Sequence, residues 1–115
     1  MLTDIELDTT FFSNMKALKK VESKYGKASV NMLRRYGPAV WDRMCFNWWH
    51  IRTADMLNGL VREFRMSRRS AETIFYACVT YCMEAKEDFM GPSSVLVKER
   101  NGVYRLIDGN MEGYE

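Results

Sequence analysis

Residues 91–107 read Gly91-Pro92-Ser93-Ser94-Val95-Leu96-Val97-Lys98-Glu99-Arg100-Asn101-Gly102-Val103-Tyr104-Arg105-Leu106-Ile107. This stretch decides the fold, because the period of the chain changes within it. Gly91-Pro92 stops a helix. Two β-prone runs then flank Asn101-Gly102, the strongest short-range hairpin signal a sequence carries. With a two-residue turn, Arg100 faces Val103, Glu99 faces Tyr104, Lys98 faces Arg105, Val97 faces Leu106 and Leu96 faces Ile107. Lys98 opposite Arg105 is a like-charge pair that sheets avoid. Arg100 falls on the same face, so one side of the tip is expected to present three cations.

Everything upstream reads as helix. Asp8-Thr9-Thr10 offers caps to a segment with Phe11, Met15, Leu18, Val21 and Tyr25 at three- and four-residue spacing, closed by Gly26. A second helix, Ala28–Tyr36, ends at Gly37-Pro38, and Pro38 suits the first turn of a third that carries Val40, Trp41, Met44, Cys45, Trp48 and Trp49. Thr53 caps a fourth, with Met56, Leu57, Leu60, Val61 and Phe64 inward. Ser67 or Ser70 starts a fifth that runs to Phe89 or Met90 through Ala71, Ile74, Phe75, Cys78, Val79, Cys82 and Ala85. The expectation is a mainly α fold of about five helices with a C-terminal β-hairpin.

The 115 residues fit one domain, 1–115, with an acidic opening segment (1–10) and a frayed tail (108–115). The 47% hydrophobic and 28% charged content excludes a disordered chain, and Gly 7 with Pro 2 excludes a collagen-like or low-complexity one. The start, Met1-Leu2-Thr3-Asp4-Ile5-Glu6-Leu7-Asp8, is acidic where a signal peptide is basic and then apolar, and no apolar run reaches a membrane span. The expected location is the cytoplasm, with no membrane contact. One histidine, His50, and the lack of GxGxxG, GxxxxGK[ST] or HExxH patterns leave few routes to catalysis, so no enzyme and no cofactor are expected. Cys45, Cys78 and Cys82 form no CxxC. Cys78 and Cys82 share a helix face with Ile74 and Phe75, so they are expected to be small core residues that bind no metal and form no disulfide.

The formal net charge of +2 hides a pattern. Residues 1–10 carry −3 through Asp4, Glu6 and Asp8. Residues 11–35 carry +6, from seven cations against Glu22. Residues 51–69 add +3, with Arg52, Arg62, Arg65, Arg68 and Arg69 against Asp55 and Glu63. Arg65, Arg68 and Arg69 crowd the start of a helix, where the macrodipole disfavours cations and favours an anion such as phosphate. The competing reading pairs these arginines with Glu63, Glu72 or Asp55. Lys16, Lys20, Lys24 and Lys27, at i, i+4, i+8 and i+11, line one helix face on which like charges repel, and a polyanion would relieve them.

From Met56 to Val79 the chain resembles the helix-turn-helix family. Met56–Phe64 matches the first helix, Arg65-Met66-Ser67 the turn, and the segment from Arg68 the second helix, which in the family lies in the major groove. Val61 takes the packed small residue, Met66 the apolar turn position, Ser67 the cap, and Ala71 and Ile74 the inward positions. Arg65 stands where the family usually has Gly, so it must adopt a left-handed or otherwise altered conformation. With the basic hairpin the resemblance extends over Thr53–Ile107 to the winged helix, whose wing commonly touches the phosphate backbone or the minor groove. It implies a DNA-binding regulator. Arg68, Arg69, Ser70 and Thr73 would reach the groove, Arg65 would stand beside them in the phosphate-suited cluster, Lys98, Arg100 and Arg105 would hold phosphates, and the Lys16–Lys27 face would add affinity.

A second reading starts from Trp41, Phe46, Trp48 and Trp49, which no single helix stripe can bury. Such residues are either core or an interaction hot spot. As a hot spot, Met44, Phe46, Trp49 and Arg52 would form the interface of an inhibitor or adaptor, of the kind phages and plasmids carry, docked on a larger nucleic-acid enzyme. The partner is then duplex DNA or an acidic protein surface.

Overall fold

The computed structural model describes residues 12–85 and 94–108. Within them the chain is mainly helical with one small antiparallel sheet. Four helices, α1 (Met15–Tyr25), α2 (Lys27–Phe46), α3 (Thr53–Phe64) and α4 (Arg68–Glu84), are joined by three strands, β1 (Ile51–Arg52), β2 (Ser94–Arg100) and β3 (Val103–Asp108). The described helices number four where five were expected, because Gly37-Pro38 does not break α2. The clash that keeps a residue before proline out of the helical region involves its Cβ, and Gly37 has none. The close approach of Phe12 needs that gap: a Cβ on Gly37 would sit 2.5 Å from the Phe12 ring. Pro38 forfeits the hydrogen bond to the Arg34 carbonyl, on the flank of α2 where Arg34 is exposed.

The cap of α1 is Asn14, whose side chain accepts from Ala17 N at 2.9 Å, while its own backbone N–H donates to the Tyr81 hydroxyl at 2.9 Å. The expected Asp8-Thr9-Thr10 cap and Phe11 lie outside the described residues. Leu18 and Val21 are buried as the period requires, but Met15, in the first turn, is exposed. Gly26 closes the helix at φ 95°. Ser67 caps α4 by accepting from Ser70 N at 3.0 Å. The expected stop at Gly91-Pro92 lies outside the described residues.

Helix α4 is the centre of the molecule. Helices α1, α2 and α3 and strand β2 all pack on it, and Ala71, Ile74, Phe75, Cys78, Tyr81 and Cys82 are buried along its length. The hairpin forms, but in another register. Lys98 pairs with Tyr104 and Val97 with Arg105, and a bulge at Glu99 restores Arg100 opposite Val103. Arg65 is the one non-glycine with positive φ among the described residues, so in the turn only Gly102 (φ 79°) is left-handed. The twist-matched type I′ turn needs two such residues. The bulge takes up the mismatch and adds local twist. The Lys98–Arg105 pair therefore does not form, and Arg105 is ion-paired to Glu99.

Strand β1 has no counterpart among the expected elements. Helix α2 stops at Phe46, residues 47–49 make a turn closed by His50 N donating to Asn47 O at 2.8 Å, and Ile51 and Arg52 pair antiparallel with Tyr104 and Val103. The sheet order is β1-β3-β2. Trp48 and Trp49 thus belong to a turn and not to the helix that their spacing predicted. Thr53 is the first residue of α3 and not its cap, and its N–H donates to Gly102 O at 2.8 Å, tying the hairpin turn to the start of α3.

Candidate nucleic-acid interface

The turn between α3 and α4 is three residues long and starts with Arg65 at φ 54°, ψ 40°. Of the left-handed or otherwise altered conformations that the resemblance implies for an arginine here, the turn takes the left-handed one. It ends α3 and aims α4 away from it, while Met66 is half-buried against the core and Ser67 opens α4. Around this corner Arg62, Arg65, Arg68 and Arg69 are all exposed.

The acids that could neutralise them are engaged elsewhere or stand apart. Glu63 is ion-paired to Arg43 of α2. The Arg43 guanidinium reaches it across Gly59, where a Cβ would come within 2.7 Å of an Arg43 nitrogen. Arg68 donates to the Asn58 side chain at 2.9 Å, a neutral acceptor that fixes the guanidinium without cancelling its charge. Among the described residues none of Arg62, Arg65, Arg68 and Arg69 makes an ion pair. The pairing with Glu63, Glu72 or Asp55 is not formed, and the corner keeps its positive charge at a helix N-terminus.

Arg69, Thr73 and Tyr76 follow one another at four- and three-residue spacing along one face of α4, with Glu72 one position before Thr73, and Tyr76 is exposed. Ser70 and Thr73 are half-buried. The Ser70 hydroxyl lies 3.1 Å from that of Ser67, and Thr73 Oγ1 donates to Arg69 O at 3.1 Å. A groove of about 320 Å³ lies beside this face, lined by Met32, Tyr36, Met66 and Ile74 together with Asn31, Arg35 and Ser70. Arg34 and Arg35 count in the sequence charge, but nothing local marks them as part of the site. Only the packing of α2 against α4 brings Arg35 beside Ser70.

The hairpin contributes less than its sequence promised. Lys98 and Arg100 are exposed, but Arg105 is half-buried and held by Glu99, so two cations remain where three were expected. The hairpin turn sits at the start of α3 and the arginine corner at its end, about 18 Å apart for twelve residues at 1.5 Å each. The major groove is about 12 Å wide, so such a separation suits a helix in a groove and a turn on flanking backbone. The lysine row is broken: Lys16, Lys20 and Lys24 lie on α1, but Lys27 opens α2 beyond Gly26. Lys20 pairs with Glu84 at 3.8 Å, at the far end of α4 from Arg68. The row and the corner therefore do not form one continuous site.

Of the residues expected at a protein interface, Met44 is fully buried and belongs to the core. Phe46 is 85% exposed, Trp49 63% and Trp48 48%. The Trp49 ring stacks on His50, centroids 5.4 Å apart, and Arg52 Nε donates to His50 Nε2 at 2.8 Å. Trp41 packs partly against the core.

The comparisons add no relative. No family model matches the chain, and no curated protein or solved structure matches it either. Among the described residues no three His, Cys, Asp or Glu side chains gather as a metal site, and no helix is long and apolar enough to cross a membrane. Burial pushes the Cys82 thiol well up, helped by its hydrogen bond with Cys78. Cys45 is raised by partial burial, then by Asp42 and Cys78. Neutral thiols of this kind are poor nucleophiles.

Proposed function

We propose that the protein is a small, non-enzymatic DNA-binding regulator of winged-helix type, acting in the cytoplasm. Its second helix-turn-helix element, α4, enters the major groove with its first two turns, and the β2–β3 turn rests on the backbone beside it. The observation that carries the reading is β1. A strand of two residues lies between the first helix of the unit and the helix-turn-helix, and pairs with the returning strand of the hairpin. This gives the order α2-β1-α3-α4-β2-β3 with strands arranged β1-β3-β2, the arrangement a wing needs to be fixed to the helices. The left-handed Arg65 and the unpaired arginine corner support it from the electrostatic side.

On this reading Arg65, Arg68 and Arg69 hold phosphates, Thr73 and Tyr76 face base edges, and Lys98 and Arg100 contact backbone. The phenolic hydroxyl of Tyr76 can donate or accept. The test is fluorescence anisotropy with labelled duplex across a salt series. Five phosphate contacts would give a slope of about −4.5 in log K against log salt. Charge reversal of Arg68 and Arg69 together should abolish binding. An absence of binding at low salt ends the reading.

The exposed Phe46, Trp48 and Trp49 favour a second, compatible role as a protein-contact face. That role does not use the arginine corner.

A further inference from the structure

Phe46, Trp48 and Trp49 form an apolar ridge where α2 gives way to β1. Fully buried, side chains of this size cover 150–250 Å² each, so at these exposures they leave on the order of 450 Å² open. That falls in the roughly 300–600 Å² range of the largest apolar patch on a typical monomer, a patch that is often functional. The ridge is also held in place. Trp48 O accepts from Leu106 N at 2.8 Å, and Trp49 is stacked on His50, which Arg52 holds. A ring held as Trp49 is loses less entropy on docking than a free one.

Two charges flank the ridge. Asp42 is exposed one helical turn before Phe46, on the same side of α2, and makes no ion pair among the described residues. Arg52 is exposed beyond Trp49. Its Nε donates to His50, and a guanidinium carries further N–H donors besides that one. The surface thus runs anion, aromatics, cation. A two-fold axis through the aromatics sets Asp42 of one copy opposite Arg52 of the other, which is the self-complementarity an isologous interface requires.

We propose that this ridge is the self-association face of the protein, and that its occupant is a second copy of the chain. The ridge supplies more than half of the about 800 Å² per partner of a standard interface, and the flanking charges and the backbone between them supply the rest. Nucleic acid does not suit it, since Arg52 is its one exposed cation among the described residues. The ridge also lies about 16 Å along α2 from Arg35, which borders the groove beside α4. Pairing through the ridge leaves both arginine corners open. The proposal does not depend on the DNA reading, and its test contains no DNA.

Sedimentation equilibrium of the full chain over a dilution series is expected to show a monomer–dimer equilibrium reaching twice the 13.5 kDa chain mass. Phe46→Glu and Trp49→Glu, both at exposed positions, should leave the circular dichroism melt unchanged and raise the dissociation constant by at least about tenfold. Asp42→Lys and Arg52→Glu should each weaken association, because each sets like charges opposite one another at both cross-contacts of its own dimer. An equimolar mixture of these two variants should associate more tightly than either alone. In the mixed dimer both cross-contacts join opposite charges, one being the native Asp42–Arg52 pair and the other the same pair with its signs exchanged. A chain that stays monomeric throughout, a dimer unaffected by both aromatic-to-glutamate variants, or a mixture with no gain overturns the proposal. Burial of the ridge by a different protein, with the purified chain monomeric, overturns it equally.

Discussion

Replacing Arg65 by glycine separates the backbone of the turn from its charge. At φ 54°, ψ 40° the arginine holds a conformation that costs an L-residue roughly 1–2 kcal/mol and costs glycine almost nothing. Glycine is also freer in the unfolded chain, which returns roughly 0.4–1 kcal/mol. The Arg65→Gly protein should therefore be more stable by about 0.5–1 kcal/mol, a rise of roughly 2–5 °C in Tm. Loss of the guanidinium should at the same time weaken duplex binding and reduce the salt slope by about 0.9, the share of one phosphate contact. Arg65→Ala is the control: it loses the same charge but keeps the left-handed cost, so it should bind as weakly as the glycine variant without its added stability. Urea denaturation gives the stabilities, and anisotropy against salt gives the slopes. A glycine variant no more stable than the alanine variant would refute the strain argument. An unchanged slope in both would remove Arg65 from the interface.

Gly37→Ala should destabilise by about 1–3 kcal/mol in urea denaturation, since the new Cβ would lie 2.5 Å from a buried phenyl ring. Gly59→Ala should cost less than about 1 kcal/mol in the same assay, because the atom it meets is the end of the Arg43 side chain and the Arg43–Glu63 pair it disturbs is partly exposed. Ser67→Ala removes the cap of α4 and should cost about 1 kcal/mol. The Cys82 thiol is held above its unfolded value of about 8.5, so its contribution to stability is complete below that pH and is lost as pH rises toward the folded value. Urea midpoints should accordingly fall on the alkaline side of about 8.5, and Cys82→Ala should flatten that fall.

Local chemistry was legible in the sequence where a short stretch is self-sufficient. Ser67 as a cap, Gly26 as a stop, an altered turn conformation at Arg65 and a hairpin about Asn101-Gly102 all depend on a few neighbouring residues. What depends on distant partners was not. A strand of two residues, Ile51-Arg52, has no period to detect and exists because β3 passes beside it. Gly37-Pro38 reads as a break until Phe12 is seen to require the missing Cβ. The hairpin register turned on a single bulge at Glu99, which exchanged a Lys98–Arg105 clash for a Glu99–Arg105 pair. The lysine row failed at Gly26, because a regular spacing across a helix break no longer describes one face. Within the site, the arginines at 65, 68 and 69 stood together as read and Tyr76 follows from the helix period two turns beyond Arg69, whereas Arg35 joined them only through packing.

The central claim is that the first turns of α4 and the β2–β3 turn meet DNA. Amide chemical shifts of the labelled protein, followed as duplex is added at low salt, test it most directly. Changes should concentrate at residues 65–76 and 98–103, with residues 46–49 unmoved. Changes centred on residues 46–49, or none anywhere, would contradict it.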